Sequence, residues 1–487
     1  MNIKITDAEL YKTGAYINGQ WIVSDDQSTY SVTNPATGEI IANVARCGTK
    51  ETNRAIEAAE AARYGWSKSS IKERASILRK WFDLMMEAQE DLAQILTAEQ
   101  GKPLAEARGE IAYGANYIEW FAEEGKRNYG DIIPAPASDK RIVVIKQPVG
   151  VVACITPWNF PNAMLTRKIA PALAAGCTVV CKPANATPLS ALAITELSAR
   201  AGIPKGVINI VSGITSEIGD ALTSNPIVRK LTFTGSTPVG KKLMADCTAT
   251  MKRTSMELGG NAPFIVFDDA DLDAAVAGAI ICKYRNAGQT CVCANRIYVQ
   301  ETVFEEFTAR LKKAVEALII GDGTAKDVTV GPLITENAAA DVMSFIDDAV
   351  SKGANVITGG KLSEHGKCFI EPTILTSVSQ DMRVFKEEIF GPVAPLFSFK
   401  TEDEVIKMAN DTEYGLACYF YSRDIGRIWR VGEALEYGIV GVNEGVISNE
   451  MAPFGGVKES GQGREGSMYG MDDYLEIKYL CMGGLDR

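Results

Sequence analysis

Residues 149–182 read VGVVACITPWNFPNAMLTRKIAPALAAGCTVVCK, and this stretch sets the fold class. Its two apolar runs at 151–155 and 177–181 predict short strands, and the segment at 167–175 between them predicts a helix that ends before a glycine. The same alternation of strand and helix continues to residue 234. Alternation of this kind, with nearly continuous apolar strands, predicts an α/β fold whose parallel sheet is covered on both faces.

Loops that follow the predicted strands carry distinctive residues. Asn159 lies between two prolines in TPWNFP, Lys182 precedes a proline at the end of the next strand, and FTGSTPVG at residues 233–240 runs from a strand into a helix start. Folds of this type bind ligands beyond the carboxyl ends of their strands. We therefore expect these loops to line a site, and the small-residue helix start is a natural seat for phosphate.

The third loop continues into two lysines, and GSTPVGKK nearly matches the phosphate-binding loop of nucleoside triphosphatases. The match fails at Lys242, where a Ser or Thr should hold magnesium. A nucleoside triphosphatase is therefore a weak alternative. The G-x-G-x-x-G fingerprint is also absent from the strand–helix stretch at residues 149–240, so the usual argument for a Rossmann dinucleotide site does not apply there.

A candidate nucleophile lies in CKYRNAGQTCVCANR at residues 282–296, where Cys291 follows a polar, glycine-containing turn. A thiol whose pKa is lowered is largely thiolate at neutral pH, and the small neighbours leave room for a substrate. The alternative is a buried structural cysteine. The chain has a single histidine, His365, in a polar run typical of a surface loop, so the general base has to be a carboxylate, a lysine or water.

Glu257 is the candidate base. It ends a predicted strand in MELGGN, and the two glycines allow a sharp turn that leaves the carboxylate in a restricted, partly apolar position. Desolvation there would raise its pKa toward the range of a general base. The alternative is a strand-end turn with a solvated Glu257.

The composition is that of an ordinary globular protein with two or three domains: 487 residues, 46% hydrophobic, 23% charged and a net charge of −11. The charge and the lack of basic runs argue against nucleic acid, and no apolar segment is long enough to predict a secretory signal or a membrane span. Eleven scattered cysteines fit a reducing compartment, so we expect a cytoplasmic protein. Their spacing predicts no metal site.

The rest of the first third is predicted to be helical, with strands at either end. Helices are predicted at residues 51–66 and 72–99, the second with an aromatic stripe typical of core packing. A β-branched run at 141–146 predicts a strand pair that projects from a domain.

Seven motifs occur together and in order: PWNFP, KP at 182–183, FTGSTPVG, MELGGN, GQTC, EEIFGPV at 387–393 and PFGGVKESG at 453–461. Together they closely resemble the NAD(P)-dependent aldehyde dehydrogenase superfamily, from a third of the way along the chain to near its C-terminus. The resemblance implies that Cys291 attacks the aldehyde, that Asn159 and a backbone N–H hold the oxyanion, and that Glu257 activates the water that hydrolyses the thioester.

The resemblance also assigns the cofactor contacts. Glu388 and Phe390 match the family's contacts to the nicotinamide ribose and ring, and those to the adenosine and pyrophosphate are matched by Trp158, Lys182, Gly235 and Ser236. Asn185 stands where many NAD-preferring relatives carry a glutamate that would repel a 2′-phosphate. A neutral residue close to a lysine favours NADP, with NAD possible.

Three features suggest the substrate. Arg167, Arg285 and Ser448 would clamp a carboxylate at the far end of a short aldehyde, which resembles succinate-semialdehyde dehydrogenases. The alternative is that one arginine is part of a structural ion pair. Glutarate semialdehyde is the competing substrate, because it is only one methylene longer. A binding pocket distinguishes two substrates that differ by one methylene by only about 1–3 kcal/mol. More remote alternatives are acyl transfer to coenzyme A and a non-catalytic descendant of the fold.

Cys293 lies two residues after the candidate nucleophile, and in some succinate-semialdehyde dehydrogenases such a pair resembles a redox switch. A disulfide across one intervening residue would be strained and easily reduced. The alternative is that Cys293 is a small apolar filler.

The family resemblance implies two doubly wound α/β domains and a β-strand oligomerisation arm. The cofactor domain would comprise residues 1–129 and 149–256, the catalytic domain residues 257–465, and the arm with its tail residues 130–148 and 466–487. Edge pairing through the arm implies a homodimer or homotetramer.

Overall fold

An eight-stranded sheet forms the first half of the fold. The computed structural model describes residues 3–486. The five central strands of this sheet are parallel, and the strand pairs at its two edges are antiparallel. In spatial order the strands are Gly461–Gln462, Arg253–Glu257, Val228–Thr234, Val151–Ile155, Thr178–Lys182, Ile208–Ile210, Ala15–Ile17 and Gln20–Ile22. The parallel sheet predicted from the sequence is therefore present.

The order of these strands creates a switch point. The strand Val151–Ile155 has Thr178–Lys182, the next strand in sequence, on one side. Its neighbour on the other side is Val228–Thr234, which comes later in the chain. The loops after adjacent parallel strands diverge at such a point and leave a crevice, which is where doubly wound sheets bind ligands. The loops that carry Asn159 and Gly235 flank this crevice.

A second, seven-stranded sheet forms the other half, and it too is parallel except at one edge. Its strands are almost wholly buried in the centre, as sheets covered by helices on both faces require. In spatial order they are Asn355–Thr358, Thr373–Thr376, Val393–Phe399, Ala294–Gln300, Ala262–Val266, Ala417–Tyr421 and Ile439–Val442.

Two smaller antiparallel sheets complete the strands. One pairs Thr29–Thr33 with Ile40–Ala45. The other has the order Leu475–Met482, Arg141–Pro148, Asp131–Ile133 and matches the predicted arm. Its apolar side chains are exposed in the single chain, with Ile132 84% and Ile477 73% accessible. The oligomeric role of this arm and the division into domains stay predictions.

Fourteen α-helices lie among the described residues and pack mainly on the two large sheets. One prediction was wrong: residues 72–99 do not form one helix, because the chain leaves helical geometry at Ala88 (φ −93°, ψ 12°). The helices are Thr49–Lys68, Ile71–Glu87, Gln89–Gln100, Leu104–Glu124, Ala163–Ala175, Leu189–Ala201, Thr215–Ser224, Thr237–Cys247, Leu272–Tyr284, Phe304–Glu316, Glu336–Ser351, Arg383–Lys386, Glu402–Asn410 and Ile425–Ala434.

The hydrophobic core lies on both faces of each large sheet. The helices Ile71–Glu87, Leu104–Glu124 and Ala163–Ala175 cover one face of the first sheet, with Trp81 and Phe121 fully buried among them. The aromatic stripe is thus mainly core, as predicted. Within residues 3–486, no helix combines the length and apolarity needed to cross a membrane.

A late segment of the chain closes the edge of the first sheet beside the candidate base. Gly461 pairs with Glu257, and the Leu258 N–H donates to the Ser460 carbonyl at 3.0 Å. Gly461 has φ +117° and ψ −160°, a conformation that side chains rarely adopt, and a Cβ there would lie 1.9 Å from the Met256 carbonyl oxygen. Only glycine therefore allows this close pairing.

Replacing Gly461 by Ala should lower both stability and activity. The backbone conformation alone costs about 1–3 kcal/mol for a residue with a side chain, and the clash has to push the strand that carries Glu257. The thermal midpoint and kcat should both fall. Gly432→Ala, in an open position of the helix Ile425–Ala434, is the matched control and should leave both unchanged or raise the midpoint slightly. Equal behaviour of the two variants would contradict this account.

Candidate active site

A strained turn presents Cys291. The helix Leu272–Tyr284 ends in a turn where Asn286 and Ala287 have φ values of 52° and 53°, left-handed conformations that non-glycine residues seldom adopt. A Cβ on Gly288 would lie 2.2 Å from the Gly391 carbonyl oxygen. The turn is thus fixed by surrounding backbone, and strain held in this way is typical of functional sites.

The Asn159 side chain is brought to the same turn. Its Nδ2 donates to the Gln289 carbonyl at 3.0 Å, while its Oδ1, although buried, has no hydrogen-bond partner. The Asn286 Nδ2 donates to the Asn159 carbonyl at 3.0 Å, and the Gln100 amide holds the Asn286 Oδ1 at 2.9 Å. An amide group has two hydrogens, so Asn159 keeps one donor for a ligand.

Two cavities share Cys291 in their walls. The first, the arginine cavity, has a volume of about 280 Å³ and includes among its lining residues Tyr113, Phe160, Arg167, Arg285, Ser448 and Phe454. The second, the strand-end cavity, has a volume of about 250 Å³ and includes Trp158, Asn159, Gly235, Ser236, Glu388 and Phe390. Cys291, a partly exposed residue, therefore lies where the two cavities adjoin.

The thiol pKa is not lowered, which corrects the expectation from the sequence. Burial, and after it the charge of Glu388, raises the pKa of Cys291 to about 12, while Arg167 acts in the opposite direction. At neutral pH the thiol is thus protonated in this structure. Attack by its sulfur requires a neighbouring group to take the proton.

Glu257 is buried, so the solvated alternative is wrong. It does not line either cavity but lies beside their wall, with Leu258 and Gly259 lining the strand-end cavity. Burial raises its pKa well above the ordinary value, and the nearby Glu465 carboxylate adds to the rise, against Arg167 and Lys168. One carboxylate oxygen, Oε2, has no hydrogen-bond partner and so remains able to accept a proton.

The three predicted carboxylate contacts all line the arginine cavity. The Arg285 side chain makes no hydrogen bond or ion pair within residues 3–486, and its guanidinium lies over the Phe160 ring at 5.4 Å. Arg167 differs, because it forms a buried ion pair with Glu465. Ser448 lies on the loop across the cavity. The Arg285 guanidinium thus has no competing anionic partner, whereas Arg167 belongs to a structural ion pair. This agrees with the alternative that one of the two arginines is structural.

The strand-end cavity has the features that a pyridine nucleotide needs. A Cβ at Gly235 would lie 2.4 Å from the Phe233 ring, and one at Gly259 would lie 2.7 Å from a Glu388 oxygen, so glycine keeps this wall open. The cavity includes Ser236 at the start of the helix Thr237–Cys247, which favours an anionic group there.

The Glu388 carboxylate has one backbone partner, the Gly260 N–H at 3.2 Å, and burial raises its pKa to about 7. Its remaining oxygen is able to accept from a sugar hydroxyl. The Trp158 and Phe390 rings meet edge to face at 5.6 Å and form an apolar wall. These residues fit the predicted cofactor.

Lys182 and Asn185 lie beside this cavity without lining it. The Lys182 Nζ makes only long hydrogen bonds, to Asn185 Oδ1 at 3.4 Å and to the Pro183 carbonyl at 3.3 Å. Burial lowers its pKa to about 8. The Asn185 Nδ2 donates to the Gly213 carbonyl at 2.7 Å, which fixes the amide next to the lysine.

Cys293 lies behind the turn and lines neither cavity. Its sulfur contacts the Lys283 carbonyl at 3.5 Å, and burial raises its pKa despite the Lys283 ammonium. Both Cys291 and Cys293 are free thiols here. The redox switch stays a hypothesis.

Sequence reasoning missed the charged residues that support the site. The Lys102 Nζ donates to the Asn159 carbonyl at 2.8 Å and to Glu110 at 2.6 Å, and Glu110 caps the helix Ala163–Ala175 through the Asn162 N–H at 2.9 Å. Glu465 follows the last recognised motif by four residues and was not singled out. The sequence contained one signal for Lys102: it precedes a proline, as Lys182 does.

Comparison with known proteins agrees with this arrangement. A profile of the aldehyde dehydrogenase family matches residues 21–480. The glutarate-semialdehyde dehydrogenase of Pseudomonas aeruginosa is 62% identical, and a succinate-semialdehyde dehydrogenase (NADP+) of Escherichia coli is 60% identical, each over 99% of this chain and all of its own.

The crystal structure of succinate-semialdehyde dehydrogenase from Burkholderia pseudomallei superposes with a TM-score of 0.98 at 61% identity, covering 99% of this chain and 100% of that one. Its fold confirms the predicted aldehyde-dehydrogenase-like α/β architecture. The predicted enzyme class, an NAD(P)-dependent aldehyde dehydrogenase, is confirmed as well. The chain belongs to the aldehyde dehydrogenase family.

Proposed function

We propose that this enzyme oxidises succinate semialdehyde to succinate with NADP. The observation that carries the proposal is the position of Cys291, whose sulfur adjoins a cavity with two arginines on one side and a cavity suited to a nucleotide on the other. Glutarate semialdehyde is the second candidate. It is supported by a relative of similar identity with that name and by the small energetic difference that one methylene makes.

The first step is attack of the Cys291 sulfur on the aldehyde carbon, which forms a thiohemiacetal. The proton leaves toward Glu388, the carboxylate whose charge acts most strongly on this thiol. Negative charge develops on the aldehyde oxygen, for which the free hydrogen of the Asn159 amide is the donor. The Lys102 and Asn286 contacts to Asn159 keep that donor in place.

A pyridine nucleotide held in the strand-end cavity would supply the acceptor for the hydride of the aldehyde carbon. Glu388, Phe390 and Trp158 would hold its nicotinamide end, and Gly235 and Ser236 its phosphates. The chain itself keeps the thioester on Cys291 in a site where buried side chains limit the entry of water.

Glu257 then activates a water molecule that attacks the thioester. A carboxylate takes this proton best when its pKa is near the working pH, and burial together with Glu465 raises the pKa of Glu257 in that direction. Water attack releases the acid and returns the Cys291 thiol. Transfer of the acyl group to coenzyme A would not need Glu257.

The Glu257→Gln variant should stall after hydride transfer. It should lower kcat by about 10²–10⁴-fold, because the amide cannot take the proton. A burst of reduced cofactor equal to the active sites, followed by an acyl adduct on Cys291 in the mass spectrum, checks this.

Glu433→Gln, at an exposed helix position, is the control and should behave as the wild type. For the wild type, kcat should rise as the pH is raised through neutrality, because Glu257 has a raised pKa and has to lose its proton before it can act as a base. Release of acyl-coenzyme A in place of the acid, or a Glu257→Gln variant of normal kcat, would contradict the hydrolytic step.

The arginine cavity supports a substrate with a terminal carboxylate. A guanidinium binds a carboxylate through two parallel hydrogen bonds, and the apolar walls from Phe160 and Phe454 strengthen that pairing by excluding water. Arg285 has no competing ion pair within the described part of the chain. We therefore assign it the larger share of carboxylate binding.

Replacing Arg285 by Gln should remove the preference for carboxylated aldehydes. Loss of a charged hydrogen bond costs about 1.5–3 kcal/mol, roughly ten- to 150-fold in kcat/KM for succinate semialdehyde, with little change for butanal. Initial rates with both aldehydes measure this. Arg310→Gln is the control, because Arg310 is a half-exposed residue of the helix Phe304–Glu316 that pairs with Asp273 and Glu306 and lines neither cavity. A wild type that oxidises butanal as well as succinate semialdehyde would refute the clamp.

The preference for NADP rests on charge at the adenosine end. Lys182 is a cation with only weak partners, and Asn185 beside it is neutral, so a 2′-phosphate would meet attraction without repulsion. The relative named as using NADP is in keeping with this preference.

The Asn185→Glu variant should reverse the cofactor preference. Its added carboxylate would repel the 2′-phosphate and accept from the ribose hydroxyls of NAD, so kcat/KM should fall at least about tenfold with NADP and rise with NAD. The neutral variant Asn185→Gln is the matched control and should keep the NADP preference. If both variants retain it equally, Asn185 does not select the cofactor.

A further inference from the structure

Glu465 is a buried carboxylate that the proposed chemistry does not use. It is 4% exposed, does not line either cavity, and so cannot contact the substrate. Its carboxylate pairs with Arg167 through one oxygen and with Lys168 through the other. These neighbours have different surroundings, since Arg167 lines the arginine cavity and the Lys168 ammonium is fully buried.

The pairing with Glu465 determines which atoms of Arg167 remain free. The Nε forms the ion pair with Glu465, although neither Nε nor Nη2 makes a hydrogen bond of good geometry. Nη1 has only long contacts, 3.5 Å to the Tyr113 hydroxyl and 3.6 Å to the Met164 sulfur. A guanidinium is planar, so fixing Nε fixes the direction of both terminal nitrogens. Arg167 lines the arginine cavity, so a carboxylate bound there meets an arginine whose terminal nitrogens have no strong partner.

The same short piece of chain also supports the guanidinium from its face. The Phe454 ring lies 4.0 Å from the Arg167 Cζ. Phe454 and Glu465 exchange two backbone hydrogen bonds of 2.7 and 2.8 Å. The ring and the carboxylate are thus held in one unit, and together they define both the plane and the rotation of Arg167.

We propose that Glu465 is a positioning residue that orients Arg167 toward the substrate's carboxylate, so that the preference for carboxylated over uncharged aldehydes depends on Glu465. This inference rests on the proposed function. It concerns substrate selection and is separate from the influence of Glu465 on Glu257, which acts on every aldehyde alike.

The test compares kcat/KM for succinate semialdehyde with kcat/KM for butanal. Both aldehydes undergo the same reaction at Cys291, so an effect on the chemistry changes both rates by one factor and cancels in their ratio. Glu465→Gln keeps the volume and removes the charge, and it should reduce the ratio about tenfold or more. Glu465→Asp keeps the charge with shorter reach and should fall between the wild type and Glu465→Gln.

A double-mutant cycle with Arg167→Gln shows whether Glu465 acts through Arg167. In that background Glu465→Gln should change the ratio less than about twofold, because the residue to be oriented is gone. Glu459→Gln, an exposed glutamate in the same segment that pairs with Lys241, should leave the ratio unchanged. If Glu465→Gln does not fold, Glu465→Asp in the two backgrounds serves as the same cycle.

The outcomes are distinct. The positioning role is overturned if the wild type has a high ratio of the two kcat/KM values and Glu465→Gln leaves that ratio unchanged, even when both values fall. The proposed function then still stands. An equal fall of the ratio with and without Arg167 also overturns it. A wild-type ratio near one refutes the proposed substrate class and this inference with it.

Discussion

Hydrogen bonds between the end of the strand Arg253–Glu257 and the segment that carries Ser460 and Gly461 hold the active site together. They close the edge of the eight-stranded sheet and bring Glu465 next to both Glu257 and Arg167. One piece of backbone thereby connects the candidate base with the candidate substrate clamp. A segment far along the chain from Glu257 thus sets the geometry on both sides of the reacting carbon.

Charge balance in a nearly dry interior is the second constraint. Glu257 and Glu465 share their surroundings with Arg167 and Lys168, so two carboxylates face two cations. Although burial raises the pKa of a carboxyl, the two cations keep the pKa of Glu465 below its ordinary value, whereas that of Glu257 rises. The surroundings therefore keep the Glu465 carboxyl ionised and leave the Glu257 carboxyl able to take up and release a proton.

The turn before Cys291 shows how preorganisation is maintained. Left-handed Asn286 and Ala287 persist because Gln100, Glu106 and the backbone around Gly391 hold them from several directions. Asn286 in turn supports the Asn159 amide. The oxyanion donor and the thiol thus depend on one supported turn, which accounts for the many buried polar contacts in a region that lacks regular structure.

From the sequence alone, the fold class and the residues around the sulfur followed, because apolar strand periodicity, loop residues at strand ends and ordered motifs are local signals. Lys102, Glu110 and Glu465 did not follow, since an ion pair between distant residues leaves no local pattern. The raised pKa of Cys291 depends on burial and on carboxylates from other segments. Nor did the unequal roles of Arg167 and Arg285 follow, because only the folded chain supplies Glu465 to one of them.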